Sequence, residues 1–248
     1  MSLFKSSNPA LKSSTFEQMA GTAYDSDVMT MQGAINKSAT LLIILVAAAA
    51  LSWFAMLSND ALGFPMMIGG VFGGLLVGIV LTFKKEWAPF LAPAYAVLEG
   101  LALGAISLIY EHAFAGLVST AIVLTIAVFA VMLFLYATRI IEVTQKFRMI
   151  VVAATAGIAV FYLLAFVLGF FNIEMPLINE PSTVGIVFSL VVVVVAALNL
   201  ALDFDFIEQG AHQGVPKYME WYSAFGLLVT LVWLYLEILR LLSKLRSR

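Results

Sequence analysis

Acidic side chains lie inside the apolar part of this chain, where a charge needs a function or a partner. Glu99 stands in the middle of the apolar run APAYAVLEGLALGAIS, with Tyr95 one helical turn before it. An ionisable group in such a position costs at least about 2.5 kcal/mol on membrane-insertion scales. A phenol can donate to a carboxyl group. We therefore expect Glu99 either to stay protonated beside Tyr95 or to pair with a cation inside a helical bundle.

A second group of acids follows another apolar run, in the segment LNLALDFDFIEQGAHQG. Asn199 and Asp203 share a helical face, whereas Asp205 is turned by about 200° from Asp203. Two close carboxylates can share a proton, or they can supply oxygen ligands to a hard cation such as calcium. Asp203 and Asp205 are therefore candidates for an ion or proton switch and for a metal site. A polar helix end in the headgroup layer is the alternative.

The last apolar run, GLLVTLVWLYLEILRLL, carries charges of both signs. Glu237 and Arg240 are three residues apart on one helical face and can form a local ion pair. Thr230 lies two turns before Glu237 on that face. Lipid penalises such a stripe, so we expect the other helices to surround the last one. The long side chain of Arg240 can also reach toward Glu99, which leaves two acidic partners open.

The elements that position these groups have the composition of a membrane protein. The chain has 248 residues, 62% of them hydrophobic and 11% charged, and its mean hydropathy is +1.03. Soluble domains carry about 25% charged residues. Runs of about 20 apolar residues suit helices that cross a hydrocarbon core of about 30 Å. Seven spans are predicted, at 40–57, 64–83, 88–110, 113–137, 149–171, 183–204 and 221–242.

The predicted fold is all-α: a polytopic seven-helix transmembrane domain over residues 39–248, with the last helix central in the bundle. A polar, largely flexible tail over residues 1–38 precedes it, with a short helix expected around 28–36. We expect no cleavable signal peptide, because no apolar run follows a basic start. Lys and Arg in the tail and in the even-numbered connections predict a cytoplasmic amino terminus. Seven spans then put the carboxyl terminus outside, although the last nine residues carry four basic side chains. A re-entrant last run is the alternative.

Glycines recur at intervals of four on two of the spans. The second span has Gly70, Gly74 and Gly78. The third span has Gly100 and Gly104 at the same interval. This spacing is typical of helices whose backbones approach closely in a membrane. We predict tight packing at both faces, with a glycine-lined conduit as the alternative.

Several classes of protein are excluded by what the chain lacks. It has no cysteine, so thiolate metal sites and cysteine nucleophiles are excluded. A retinal protein needs a lysine within its last helix, yet Lys244 stands only at the end. A membrane serine protease needs a histidine at depth, whereas His112 and His212 are predicted to lie in loops. The net charge of −2 indicates no nucleic-acid partner. We therefore predict that the protein is not an enzyme, with no catalytic residue and no cofactor apart from calcium as a transient ion.

Three segments together resemble the Bax inhibitor family of seven-helix membrane proteins, in its YccA-like bacterial branch. They are GLALGAIS in the third span, LDFDFIEQG at the end of the sixth, and LEILRLLSKL in the last. The resemblance implies a central seventh helix enclosed by six others. It also implies a pH-sensitive calcium leak in a bacterial inner membrane, controlled by an aspartate pair between the sixth and seventh helices near the cytoplasmic side.

Carried over to this chain, the sixth-helix member of the family's aspartate pair is Asp203. The seventh-helix aspartate falls on Thr230, so the chain departs from the family pattern. A shared-proton switch would then need a substitute acid, for which Asp205, Glu208 and Glu220 are the candidates. With the carboxyls protonated, the two helices are expected to close the path, and deprotonation is expected to favour an open arrangement.

Arg240 matches the arginine that the family has in its last helix. The resemblance implies an acidic partner for it on another helix. The second helix has only glycine and apolar residues here, so Glu99 is the natural replacement. Ala105 departs from the family as well, since many members have proline there.

The bacterial branch is also associated with a regulatory role toward other membrane proteins, for example a membrane-anchored protease. The tail over residues 1–38 would be the contact for such a partner. The expected partners are therefore the lipid bilayer, cations and a membrane protease or another membrane protein. Deleting the tail separates the two functions, because a channel would still conduct. A proton-coupled transporter is a third option, although no broken helix pair is visible.

Overall fold

The computed structural model describes residues 28–171, 175 and 180–248. In these ranges it has seven helices long and apolar enough to cross a membrane, which confirms the predicted all-α fold. Short 3-10 turns at Asp60–Leu62 and Lys85–Trp87 precede α2 and α3. The helices are α1 Met31–Ser58, α2 Gly63–Phe83, α3 Ala88–Ala113, α4 Leu117–Ala137, α5 Gln145–Gly169, α6 Thr183–Gln213 and α7 Met219–Arg246.

The first helix is longer than the predicted span and begins inside the predicted tail. Thr30 caps it, because its side chain accepts a hydrogen bond from the backbone N–H of Gly33. Ala34 and Ser38 are buried against the rest of the bundle. Tertiary packing therefore recruits a polar stretch that hydropathy alone does not assign to a span. Residues 1–27 of the predicted tail lie outside the described residues.

The last helix is central, as predicted. It packs against α1, α3, α4 and α6, and its side chains belong to two separate hydrophobic clusters. Leu227 and Leu234 lie in the cluster shared with α4 and α6, whereas Ala224 and Leu228 lie in the cluster shared with α1 and α3. Because α7 buries opposite faces at once, its polar side chains are also directed into the protein.

Glycine brings α3 into backbone contact with both of its neighbours. A methyl group on Gly100 or Gly104 would overlap the carbonyl oxygens of Leu45 and Ala49 on α1. A methyl group on Gly70 of α2 would overlap the backbone of α3. The predicted tight packing is confirmed at these positions, and dispersion between closely approaching backbones holds the three helices together.

The predicted basic connections meet at one end of the bundle, which we call the basic end. Contacts there join Val28 to Pro216, and Lys85 to the ring of Tyr222. The basic end comprises residues 28–30, 84–87, 138–144 and 214–218. α7 runs without interruption from this end to Arg246 at the opposite end, which favours a spanning helix over the re-entrant alternative for the last run.

At the end of the bundle opposite the basic end, the basic side chains in the last turns of α7 bind polar groups of neighbouring elements. Arg246 donates to the carbonyl oxygen of Ala115, in the turn before α4. Lys244 is buried and donates to the carbonyl oxygen of Gly185 at 3.0 Å and to the hydroxyl of Ser189 at 2.9 Å. These contacts explain why basic residues occur at the carboxyl-terminal end of α7, although the Lys and Arg counts of the connections assign that end to the outside.

The backbone contact at Gly100 predicts a large difference between two glycine substitutions. Gly100→Ala should lower the free energy of unfolding by about 1–3 kcal/mol, because the new methyl group forces α1 and α3 apart. Gly157→Ala on α5 is the matched control, since nothing lies within 4 Å of an added Cβ there. Thermal unfolding in detergent, followed by circular dichroism, compares them. Equal melting temperatures for both variants would contradict the close α1–α3 contact.

Candidate functional site

Asp203 lies between α6 and α7, with its carboxyl group turned toward the last helix. Thr230 of α7 lies beside this carboxyl group, and an added methyl group on Gly226, one turn closer to the basic end, would lie 3.9 Å from its Oδ1. The other carboxyl oxygen, Oδ2, is buried without a hydrogen-bond partner among the described residues. At about 1.5 Å per residue, Asp203 is about 15 Å from the end of α6. The structure thus brings together the two positions that the family resemblance singled out.

Among the described residues, no neighbouring cation would balance the negative charge of an ionised Asp203. No salt bridge within residues 28–171, 175 and 180–248 reaches its carboxyl group. Burial of an ionised carboxylate is costly unless it is paired or hydrogen-bonded. Ionisation of Asp203 therefore demands water or a cation between α6 and α7.

The structure does not bring Asp205 together with Asp203. The carboxyl group of Asp205 accepts hydrogen bonds from Arg148 at 2.6 Å and from Gln209 at 2.7 Å. The reason is the turn of about 200° between the two positions, which directs them to different sides of α6. The described part of the chain holds no group of three side chains able to bind a metal ion. The predicted Asp203–Asp205 metal site is therefore not assembled.

Glu208 forms the other charged contact at this end of α6. It binds Arg139, in the connection between α4 and α5, and accepts a hydrogen bond from Tyr136. Hydrogen bonding to Glu208 raises the pKa of Arg139, so the guanidinium remains charged. His212 is 3.8 Å from Glu208, and its side chain is 76% exposed. Both histidines lie in the last turns of helices instead of the predicted loops.

The ionic stripe of α7 forms a compact cluster with α5. Arg240 is 2.7 Å from Glu237, which confirms the local pair as the geometry of this stripe. The hydroxyl of Tyr162 donates to Glu237 at 2.9 Å and accepts from Arg240 at 2.7 Å. The side chain of Glu237 is only 2% exposed, and one of its oxygens has no partner among the described residues. Removal of Arg240 would leave a buried carboxylate without its cation.

Of the two acidic partners that the sequence left open for Arg240, the structure places Glu237 beside it and Glu99 elsewhere. The carboxyl group of Glu99 lies over Gly74 of α2, where an added methyl group would collide with it. It makes no ion pair or hydrogen bond with any residue that the structure describes, Tyr95 included. The ring of Tyr95 instead packs edge-on against the ring of Phe225, with 4.8 Å between the ring centroids. Arg240 forms its ion pair with Glu237 on its own helix. The face of α3 that carries Glu99 points to α2.

Polar contacts attach α5 to the bundle. Val151 is its only buried residue. Three side chains of α5 at seven-residue intervals reach polar partners on α6 and α7, which is the spacing of a helix seam. The contacts are Arg148–Asp205, Thr155–Asn199 and Tyr162–Glu237. Sequence reasoning missed Thr155 and Tyr162, although this repeat of polar residues was the available signal.

These features define a polytopic membrane protein whose last helix is enclosed by the others and carries buried polar side chains. The family model described as Bax inhibitor 1 like matches residues 8–247. The chain therefore belongs to the Bax inhibitor family, which confirms the resemblance read from its motifs. A comparison with curated proteins gave no match.

The cluster on α7 predicts a strongly non-additive pair of substitutions. Arg240→Gln should lower the free energy of unfolding by about 3–5 kcal/mol, because Glu237 is left buried without its cation. The double variant Glu237→Gln with Arg240→Gln should recover most of that loss. Chemical denaturation in detergent of both single variants and the double variant measures the coupling. Additive losses would show that the two side chains do not act as a buried pair.

Proposed function

We propose that the protein is a pH-dependent cation leak pathway, with calcium as its ion, in a bacterial inner membrane and with a cytoplasmic amino terminus. Membership of the Bax inhibitor family supports this class of function. The observation that carries the proposal is the carboxyl group of Asp203 between α6 and α7, whose buried Oδ2 has no hydrogen-bond partner among the described residues. Family membership and this buried carboxyl group together support the proposal.

The mechanism follows from the two protonation states of Asp203. In the protonated state the carboxyl is neutral, α6 and α7 stay packed around it, and the path is closed. Loss of the proton places a negative charge in that interface, and water or a cation must enter to solvate it. The closed arrangement is then destabilised relative to a hydrated one. Flux therefore rises as the pH rises and falls on acidification.

The groups around Asp203 suit a hard cation that is bound only in transit. Carboxylate, hydroxyl and carbonyl oxygens are the ligands that calcium takes. The hydroxyl of Thr230 supplies one such oxygen beside Asp203, and it donates to the carbonyl of Gly226 at 3.3 Å. Calcium requires about six to eight ligands, so water completes the shell. Weak, partly hydrated binding is what a conducting site needs.

The opposite half of the bundle carries a compensated charge. Glu237 is two turns beyond Thr230 on α7, about 10 Å farther from the basic end. Its pairing with Arg240 and Tyr162 keeps that level neutral and packed in the closed state. We therefore place the pH-dependent step at Asp203 and the structural seal at the Glu237 cluster.

Neutralisation of Asp203 should remove the pH response. Asp203→Asn should make calcium flux into dye-loaded proteoliposomes independent of pH between about pH 5 and pH 8, because no proton is left to exchange at the gate. Asp205→Asn is the matched control, since that carboxyl is already paired with Arg148. The control should keep the wild-type rise with pH. Absence of flux above empty liposomes at every pH would overturn the leak.

A second acid opposite Asp203 should change the shape of the response. Thr230→Asp places two carboxyls where the structure has one, and a coupled pair loses its protons in two macroscopic steps. The flux profile should then broaden or split into two transitions. Thr230→Val, which removes the hydroxyl at constant size, should keep a single transition. A single unshifted transition in Thr230→Asp would show that Thr230 does not face the titrating group.

A regulatory role toward another membrane protein is the second candidate. The supporting observation is that residues 28–30, which follow the tail segment 1–27, contact the connection between α6 and α7. Deletion of residues 1–27 separates the candidates. A leak protein retains flux in liposomes, whereas a tail-dependent regulator loses its effect on its partner.

A further inference from the structure

The segment Val28–Thr30 lies across the connection between α6 and α7 at the basic end. Val28 pairs with Pro216 in an antiparallel bridge. The backbone N–H of Met29 donates to the carbonyl oxygen of Val215 at 2.7 Å. The segment therefore adds a short extended strand to that connection, and we call residues 28–30 the strap.

Met29 anchors the strap to α6. Its side chain is only 2% exposed, and its sulfur atom packs against Gly210. It belongs to the same hydrophobic cluster as Phe204 and Ile207, which flank the helical face that carries Asp203. Withdrawal of Met29 would open that cluster from the basic end.

Thr30 anchors the strap to α7. Both its backbone N–H and its hydroxyl donate to one carboxyl oxygen of Glu220, each at 3.0 Å. Glu220 lies in the first turn of α7 and is only 2% exposed. Gly33 leaves the space that the carboxyl group of Glu220 occupies, since any side chain there would overlap it. The cap residue of α1 and the buried acid of α7 therefore pack closely, and the contact depends on the missing side chain at Gly33.

The two anchors connect the ends of α6 and α7 on the basic-end side of Asp203. Gly210 is two helical turns beyond Asp203 on α6, and Glu220 is nearly two turns before Gly226 on α7. We propose that the strap is a releasable clamp, whose detachment lets α6 and α7 separate at the basic end and lets water reach Asp203. The clamp rests on the proposed function for the role of Asp203, but its movement can be measured without any ion flux.

The size of the contact suits a reversible device. A few hydrogen bonds and one methionine side chain connect the strap to α6 and α7, whereas the helices themselves are held by extensive packing. Local segments of this kind open with much smaller free energies than the whole fold. A force or a binding partner acting on the preceding tail could therefore withdraw residues 28–30 and leave the seven helices assembled.

The absence of cysteine from the chain allows a clean measurement of this opening. Ser223→Cys is a near-isosteric reporter on α7. Ser223 is 3% exposed and lies three residues before Gly226, on the helical face that leads to Asp203. The rate at which a water-soluble maleimide labels this cysteine, at one neutral pH in liposomes, reports water access between the helices.

Two substitutions release the strap, and each has a matched control. Met29→Ala removes the anchor on α6, and Met31→Ala is its control because Met31 is 43% exposed. Thr30→Val removes the hydroxyl that binds Glu220 and that also caps α1. Its control is Thr40→Val, whose hydroxyl donates only to Asn36 of its own helix. Circular dichroism and size-exclusion chromatography identify the variants that remain folded, so either anchor suffices as the test.

The clamp predicts that labelling in Met29→Ala and Thr30→Val rises by at least about tenfold, which corresponds to about 1.4 kcal/mol in the opening equilibrium. The controls should stay within about twofold of the parent reporter, below about 0.5 kcal/mol. Unchanged labelling in folded Met29→Ala or Thr30→Val protein would overturn the clamp.

Calcium flux through the same variants separates this proposal from the leak. Faster labelling together with an absence of flux in every variant and in the wild-type chain would leave the clamp standing and overturn the leak. Flux that responds to pH without any change in labelling would overturn the clamp alone. When both proposals hold, Met29→Ala raises labelling and flux together, and Asp203→Asn removes only the pH response.

Discussion

The structure depends on one constraint: the polar groups of α7 must be satisfied inside the protein, because hydrocarbon offers them no partner. Glu237 and Arg240 meet this requirement on their own helix and with Tyr162 of α5. Enclosure of α7 by its neighbours follows from the same requirement. The close glycine contacts of α3 then bring α1 and α2 near enough to complete one side of the enclosure.

The two halves of the bundle meet this constraint differently. At the level of Glu237 a cation and a phenol compensate the buried acid. At the level of Asp203 no salt bridge reaches the acid among the described residues, and its Oδ2 has no hydrogen-bond partner there. An acid that is paired with a cation gains less from hydration than an unpaired one, which is stabilised by water or a cation once it ionises. This asymmetry is the physical basis for placing the switch in the half near the basic end.

The strap connects the tail to that half of the bundle. Met29 contacts α6 and Thr30 contacts Glu220 of α7, so a displacement of the tail acts on the two helices that enclose Asp203. The proposed leak and the proposed regulation by a partner would therefore act on the same two helices. A partner that binds the tail would have mechanical access to the gate, and a pH change would act on the carboxyl group behind it.

The sequence by itself determined the class of fold and the family, since runs of about 20 apolar residues can bury their backbone in lipid only as helices. It also indicated Asp203, Thr230 and the local Glu237–Arg240 pair, because spacing along a helix decides which side chains share a face. It could not decide which helix each face meets. Tertiary packing turned Glu99 toward Gly74, brought Tyr162 to Glu237, and drew residues 28–30 onto α6 and α7. These contacts join residues far apart in the chain, and their geometry depends on how whole helices rotate and approach, which no local pattern encodes.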